Sequence, residues 1–313
     1  MNSKDAVNDL FKGDVAQVLN KWIVSIISKT RNSLYIVSVP RNSSCRDEHE
    51  FEHFATGFAI DRGTVVSVAH IEPKDSICVI DANGESSEGR VKGIDNRWDL
   101  MFIESDKALN PISLELEEPP IGSIVLACGM PLGLLRPFFS LGIISGHKIN
   151  ASIGNEYIEG LLTASTPVVP GMSGGPLIDI YGKAVGIIVG NAFNTHEFTL
   201  IVPSRRIHYS YNILKKYGYV NHIKLGIRVI EYGLRSKERI EGIVVSSIFN
   251  NKLSSICGIS VGDILVAIDN FKIKTIEDLW NALDEALLLS KNKIVIEFYS
   301  YREKIYRVCE YSI

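Results

Sequence analysis

The sequence has few cysteines, no long apolar run and no surplus of charge of one sign. Its five cysteines, in 313 residues, are scattered without a C-x-x-C spacing, which predicts unpaired thiols and neither a disulfide framework nor a metal site. An odd number of cysteines also favours a reducing compartment. We expect a cytoplasmic location because the sequence also predicts no signal peptide. With 33 basic against 36 acidic residues, the chain lacks the positive surplus that a nucleic-acid binder needs.

The N-terminal segment has neither a basic start nor a long apolar centre, so the sequence predicts no secretory signal peptide and no transmembrane segment. Residues 4–29 instead place apolar side chains at helical spacing along one stripe. Two alternatives stay open for covering this stripe: it packs on the chain's own domain, or it forms an oligomer contact. The stripe consists of Val7, Leu10, Phe11, Val15, Val18, Leu19, Trp22, Ile23, Ile26 and Ile27.

Short runs of β-branched and apolar residues, separated by Gly, Pro, Asn and Asp, dominate residues 33–202. This pattern is typical of an all-β sandwich or barrel. Towards the C-terminus, strand-like runs surround one helix that begins near Thr275, a good N-cap, with Asp278 on its first turn. We therefore predict a mainly β protein with four parts: a helical segment at 1–32, a β domain at 33–208, a linker at 209–221 and a small α+β domain at 222–313.

The segment Gly171-Met172-Ser173-Gly174-Gly175-Pro176 carries the strongest chemical signal. Acyl transfer needs a serine oxygen at a tight turn, with backbone N–H groups directed at the developing oxyanion. The N–H groups of Gly171 and Ser173 are the candidate donors of this oxyanion hole. A glycine-rich loop with no catalytic role would have the same pattern, so the serine needs identifiable partners.

A serine hydroxyl becomes a good nucleophile only when a base removes its proton. Among seven histidines, His70 ends the strand-like run 64–70, where a sheet can position its ring. The base in turn needs a buried carboxylate, and Asp99 directly precedes an apolar strand-like run. Asp95 is the nearest competitor, but its polar turn predicts a solvated side chain. The alternative for Asp99 is a residue that only caps its turn.

The order His70, Asp99, Ser173 is the chymotrypsin-like order, and the chain resembles the HtrA (high-temperature-requirement) family over residues 33–208. Segments similar to that family's Gly-Ser-Gly-Phe, Gly-Ile-Val-Ser and Ala-Ile-Pro-Ser stretches are Thr56-Gly57-Phe58, Gly142-Ile143-Ile144-Ser145 and Ile201-Val202-Pro203-Ser204. The chain departs from the family at Met172, where the family usually has Asn. That departure puts substrate preference and loop regulation in doubt.

The resemblance implies a chymotrypsin-like double β-barrel and a serine endopeptidase that uses Ser173, His70 and Asp99. Its expected substrates are unfolded or exposed protein segments, as in protein quality control, and no cofactor is implied. By the same resemblance, Ile187-Ile188-Val189 would line the primary substrate pocket. The N-terminal segment would hold a homotrimer together.

The C-terminal domain resembles the PDZ domains of that family. Lys224-Leu225-Gly226-Ile227 is similar to their Tyr-Leu-Gly-Ile carboxylate-binding loop, and residues 257–270 are similar to their core. The likeness implies that peptide C-termini bind here by strand addition beside the helix at 275–289. The alternative is a domain that only regulates access to Ser173.

Two other functions compete with an endopeptidase. One is a catalytically inactive scaffold in which the PDZ-like and protease-like domains only bind peptides; an intact Ser, His and Asp set disfavours it. The other is an esterase of the α/β-hydrolase type, which needs the order Ser, Asp, His. That order fails here because Ser173 comes last.

Overall fold

The computed structural model describes residues 15–40, 45, 51–73, 77–131, 136–153, 156–192, 197–231 and 240–313. The chain divides into two compact units, with the division between Leu214 and Lys215. Within these ranges, no helix has the length and apolar character needed to cross a membrane.

Six antiparallel strands form the first barrel, which closes in the order β1-β2-β3-β6-β5-β4. β-Branched and aromatic residues favour these strands, and their inward side chains, such as Phe58, Val66 and Phe102, are completely buried. The strands are β1 (Leu34–Pro40), β2 (Phe51–Ala59), β3 (Thr64–Val68), β4 (Ile77–Ile80), β5 (Ser86–Asp95) and β6 (Leu100–Ser105).

A second closed barrel follows, with strand order β10-β11-β12-β9-β8-β7. Its apolar core includes Val125, Leu162, Met172 and Ile201. The strands are β7 (Ile124–Gly129), β8 (Phe138–Ile153), β9 (Glu156–Ala164), β10 (Pro176–Asp179), β11 (Ala184–Asn191) and β12 (Thr199–Pro203). Together the two barrels confirm the predicted double β-barrel.

Helix α1 (Val15–Thr30) lies against the second barrel. Ile26 is buried, and Trp22 and Ile23 line a shallow crevice together with residues of β7, β8 and β10. Val18 and Leu19 remain exposed on the same helix. Part of the apolar stripe therefore packs on the chain's own domain and part stays uncovered in the single chain. Val7, Leu10 and Phe11 of the predicted stripe lie outside the described residues.

Helix α2 (Ser204–Tyr217) runs through most of the segment predicted as a linker, residues 209–221. Its first part packs on the first barrel: the Ser210 hydroxyl donates to Asp95 at 2.5 Å, and the Tyr211 ring stacks on Phe102. The first unit therefore extends past residue 208, because α2 covers one side of its barrel.

The second unit is a small α+β domain with sheet order β13-β14-β15-β17-β18 and with β16 paired to β15. The predicted N-cap is confirmed, since Thr275 and Asp278 form a reciprocal capping box at the start of α4. The elements are β13 (Ile227–Glu231), β14 (Ile243–Ile248), α3 (Asn251–Cys257), β15 (Ile264–Ile268), β16 (Phe271–Lys272), α4 (Ile276–Leu288), β17 (Lys293–Ser300) and β18 (Ile305–Ser312).

The prediction of unpaired thiols is wrong for four of the five cysteines. Cys45 is bonded to Cys78 in the first barrel, and Cys257 is bonded to Cys309 between α3 and β18. The partners are 33 and 52 residues apart, so only tertiary structure brings them together. Cys128 is a free thiol, and its burial raises its pKa. The cysteine count therefore gives no support to a reducing compartment.

Candidate active site

His70 and Asp99 form a close pair at one end of the first barrel. His70 follows the end of β3, and Asp99 lies in the turn that leads into β6, the strand paired with β3. His70 Nδ1 lies 2.5 Å from Asp99 Oδ2. The other carboxylate oxygen, Oδ1, accepts the backbone N–H groups of Ala69 at 3.0 Å and of His70 at 2.8 Å. These three contacts fix both the carboxylate and the histidine ring that it faces.

Asp99 is buried and has a φ of +54°, which is unusual for a residue other than glycine. Surrounding contacts maintain this backbone: Ala69 donates its N–H to the Asp99 carbonyl at 3.1 Å, and Trp98 lies under the guanidinium of Arg206 at 4.7 Å from the ring centroid. Strained backbone held by its surroundings is typical of functional sites.

Asp95 is not solvated, contrary to the sequence-based expectation. It is buried, with one carboxylate oxygen accepting from Ser210 Oγ and the other accepting the Arg97 N–H at 3.0 Å. Helix α2, distant in the sequence, covers it, so a polar local sequence gave no sign of its burial. Asp95 therefore supports a helix contact, and Asp99 is the carboxylate paired with His70.

The serine turn lies between the two barrels. Gly171 has a φ of +93° and Gly174 a φ of +84°, values that side chains disfavour. A Cβ on Gly174 would lie 1.9 Å from the Thr56 carbonyl oxygen of β2. The turn therefore needs glycine at 174 for both its conformation and the available space. The same contact shows that the turn packs directly against the barrel that carries His70.

Backbone hydrogen bonds in the serine turn leave two N–H groups available. Met172 donates to the Val169 carbonyl at 3.1 Å, Gly174 to Ile188 at 2.7 Å and Gly175 to Met172 at 3.0 Å. The N–H groups of Gly171 and Ser173, by contrast, have no acceptor among the described residues. Two free donors beside a partly exposed serine are what an oxyanion hole requires.

The residues predicted to line the substrate pocket lie in β11. Ile187, Ile188 and Val189 are almost completely buried, and Ile188 exchanges backbone hydrogen bonds with the serine turn at Gly174 and Gly175. Their segment therefore adjoins Ser173. Their part in recognising a substrate side chain stays a prediction.

In the second unit, the predicted carboxylate-binding loop precedes β13, the edge strand of the sheet. Lys224 is exposed, Leu225 is buried and Gly226 has a φ of +72°. The Gly226 carbonyl accepts the N–H groups of Phe249 at 2.8 Å and Asn250 at 3.1 Å, which fixes the loop. Ile227 then begins a strand whose outer edge pairs with no other strand in the described ranges, and strand addition needs such an edge.

Thr56, whose sequence context shows only a resemblance to a family segment, makes four hydrogen bonds at the junction of the barrels. Its N–H and hydroxyl donate to the carbonyls of Ser173 and Gly171, at 2.8 and 2.6 Å. Its hydroxyl accepts the Met130 N–H at 2.8 Å, and its carbonyl accepts Ser67 Oγ at 2.7 Å. A lone threonine in a strand gives no sequence signal for such a role.

Comparison with known protein families matches residues 55–187 to the trypsin-like peptidase domain. Curated relatives are similar along most of the chain. The serine protease Do-like HtrA of Lactobacillus helveticus is 27% identical, with 89% of this chain and 74% of the relative covered. A serine protease HtrA-like protein of Staphylococcus aureus (strain MSSA476) is 24% identical over 88% of this chain, which spans 39% of that relative's length.

Solved structures are similar in fold. The HtrA-type protease AlgW with tripeptide aligns with a TM-score of 0.73 at 19% identity, covering 93% of this chain and 97% of that one. The serine endoprotease from Yersinia pestis aligns with a TM-score of 0.64 at 21% identity, covering 92% and 95%. These alignments extend beyond the two barrels into the second unit.

Proposed function

We propose that this chain, which belongs to the HtrA-type trypsin-like serine endopeptidases, cleaves exposed segments of other proteins with Ser173, His70 and Asp99. The observation that carries the proposal is the combination of the close His70–Asp99 pair, in which the carboxylate is buried, with two N–H groups at the serine turn that have no acceptor in the part of the chain that the structure describes. If Asp99 only capped its own turn, its carboxylate would not be expected to contact a histidine ring.

The mechanism follows from the arrangement. Ser173 Oγ attacks the scissile carbonyl while His70 Nε2 takes its proton, and the resulting imidazolium keeps its Nδ1–H on Asp99 Oδ2. The N–H groups of Gly171 and Ser173 stabilise the negative oxygen of the tetrahedral intermediate. His70 then protonates the leaving amine, and a water molecule, activated by the same histidine, hydrolyses the acyl-enzyme.

Cleavage of an unfolded model protein tests this activity. The wild type should produce fragments that mass spectrometry can map, whereas Ser173→Ala and His70→Ala should lose about 10⁴-fold or more in rate. Intact substrate in every sample, with a folded wild type, would favour the competing scaffold function, in which both domains only bind peptides.

The proposed specificity is for medium-sized apolar residues, such as Val, Leu or Ala, on the N-terminal side of the cut. The β11 segment beside Ser173 is apolar, and Ile187, Ile188 and Val189 offer no acidic group to receive Lys or Arg. The fragment ends from the same digestion test this proposal. Ends dominated by Lys or Arg would contradict it.

The second unit is proposed to bind peptide C-termini through Lys224-Leu225-Gly226-Ile227. The outer edge of β13, unpaired within the described residues, and the apolar residues Leu279 and Trp280 of α4 support this role. Peptides with an apolar last residue should bind in the micromolar range, and C-terminal amidation should weaken binding because a charged acceptor is lost. Equal affinities of free-acid and amidated peptides, measured by fluorescence anisotropy, would rule out carboxylate capture.

A homotrimer held by the N-terminal segment is proposed from the uncovered part of α1. Val18 is 60% exposed and Leu19 41% exposed, and Leu141 of β8 adds a further exposed apolar side chain on the barrel against which α1 packs. Replacing Val18 and Leu19 by Asp should lower the mass measured by light scattering. An unchanged mass would contradict assembly through this helix.

The cytoplasmic location stays a prediction, and the two disulfides argue against it. Disulfides persist mainly in oxidising compartments, and this chain carries two. Thiol labelling of protein taken from cells under acid quench tests the location. Four labelled cysteines in addition to Cys128 would support the cytoplasm, and protection of those four would contradict it.

A further inference from the structure

Thr56 connects the serine turn to the barrel that carries His70. It lies in β2, its side chain is completely buried, and all of its polar groups are engaged. The two donors of Thr56 both go to carbonyl oxygens of the serine turn, in the second barrel. Its carbonyl accepts from Ser67, in the strand that leads to His70.

Hydrogen bonds fix two peptide groups of the serine turn, each through both its carbonyl oxygen and its N–H group. In the peptide 171–172, Thr56 Oγ1 binds the Gly171 carbonyl while the Met172 N–H binds Val169. In the peptide 173–174, the Thr56 N–H binds the Ser173 carbonyl while the Gly174 N–H binds Ile188. The N–H groups of Gly171 and Ser173 belong to the peptides 170–171 and 172–173, and neither has an acceptor among the residues described here.

We propose that the Thr56 hydroxyl is a positioning group for the oxyanion hole, acting by holding the Gly171 carbonyl. The inference rests on the proposed peptidase activity. Gly171 has a φ of +93°, a region that glycine enters and leaves without strain, so hydrogen bonds from its neighbours must select this conformation. The 2.6 Å bond from Thr56 fixes the carbonyl side of Gly171, and thereby the direction of the Gly171 N–H on the other side of the same residue.

The same hydroxyl also ties the turn to the end of β7. By accepting the Met130 N–H at 2.8 Å, it brings three chain segments to one buried oxygen. The Gly171 carbonyl and the Met130 N–H would both lose their partner if the oxygen were removed, and buried unpaired groups drive local rearrangement. The expected rearrangement is at Gly171, where glycine allows the backbone to rotate.

Thr56→Val keeps the shape of the side chain and removes the hydroxyl, whereas Thr56→Ser keeps the hydroxyl. With a peptide substrate, Thr56→Val should lower kcat by about 10- to 100-fold, less than the loss of a whole oxyanion donor, while KM changes by less than about threefold. Thr56→Ser should stay within about threefold of the wild-type kcat. The rate of labelling of Ser173 by a fluorophosphonate should fall in parallel with kcat.

Ser204→Ala is the matched control for loss of stability. Ser204 is buried, and its hydroxyl donates to the Ala184 carbonyl at 2.6 Å, the same length as the Thr56 contact. Ser204→Ala should lower the urea midpoint of unfolding about as much as Thr56→Val does, and it should leave kcat unchanged. Wild-type kcat in Thr56→Val, or an equal loss in Thr56→Ser, would overturn the inference. A folded wild type without activity would instead refute the proposed function.

Discussion

Replacing Asp99 by Asn removes one charge and leaves the shape of the site unchanged. The structure dictates how the new amide must orient. Oδ1 accepts two backbone N–H groups, from Ala69 and His70, so the amide oxygen must occupy that position. The opposite orientation would aim an NH₂ group at both N–H donors. It would leave the partly buried His70 N–H without its acceptor, at a cost on the order of 1 kcal/mol, while the Ala69 N–H would keep only the Asp99 carbonyl at 3.1 Å. The amide nitrogen therefore faces His70 Nδ1.

This orientation forces His70 into the wrong tautomer. An NH₂ group that faces Nδ1 requires Nδ1 to accept, so the ring proton moves to Nε2, the atom that must accept the proton of Ser173. We expect kcat to fall by about 10⁴-fold while KM changes little, because the geometry of substrate binding is untouched. Steady-state cleavage of a peptide substrate at neutral pH measures both constants.

Asp95→Asn is the matched control, since Asp95 is equally buried but contacts Ser210. Its kcat should stay within about threefold of the wild type, whereas its free energy of unfolding should drop by about 1–3 kcal/mol. If Asp99→Asn kept more than a tenth of the wild-type kcat, or if Asp95→Asn were the inactive variant, the assignment of Asp99 would be refuted.

Three further predictions concern the serine turn, a disulfide and the half-buried carboxylate of Asp61. Gly174→Ala should abolish peptide cleavage, because its Cβ would lie 1.9 Å from the Thr56 carbonyl; Gly182→Ala, at a similar positive φ in open space, should stay active. Equal activities of Gly174→Ala and Gly182→Ala would contradict the requirement for glycine at position 174. Cys257→Ala should destabilise the second unit by about 4 kcal/mol on the chain-entropy estimate for a loop of 52 residues, measured by urea unfolding; no loss would argue against the bond with Cys309. Burial raises the pKa of Asp61, but hydrogen bonds from Tyr211, Gly63 and Thr64 lower it more, so the net pKa is below the ordinary value. Its contribution to stability is therefore present at neutral pH and lost as the pH falls through that lowered pKa, so Asp61→Asn should cost more at pH 7 than at pH 3; an equal cost at both would contradict this.

The general architecture was predictable because strand propensity and turn residues recur locally. The ordered residues His70, Asp99 and Ser173 could also be proposed from sequence, since each sits beside a distinct strand or turn pattern. The burial of Asp95 could not, because the helix that covers it lies far along the chain. The disulfides and the contacts of Thr56 could not be predicted for the same reason. Their partners come together only when distant segments of the chain pack against each other.

The boundary after the first unit shows how a local pattern can mislead. The polar segment at 209–221 has the composition of a linker, yet Ser210 and Tyr211 place one face of α2 on the first barrel. The local sequence indicates that this segment is helical, but it does not indicate which surface of the protein the helix packs against.

The central claim is that Ser173 is an activated nucleophile, and labelling by a fluorophosphonate tests it most directly. Mass spectrometry should find one adduct, on the peptide that contains Ser173, in the folded wild-type protein. Ser173→Ala should carry no adduct, and His70→Ala should label at least about 10³-fold more slowly, because the base is gone. A folded wild type that carries no adduct on Ser173, or labelling of Ser173 that is unchanged in His70→Ala, would contradict the account.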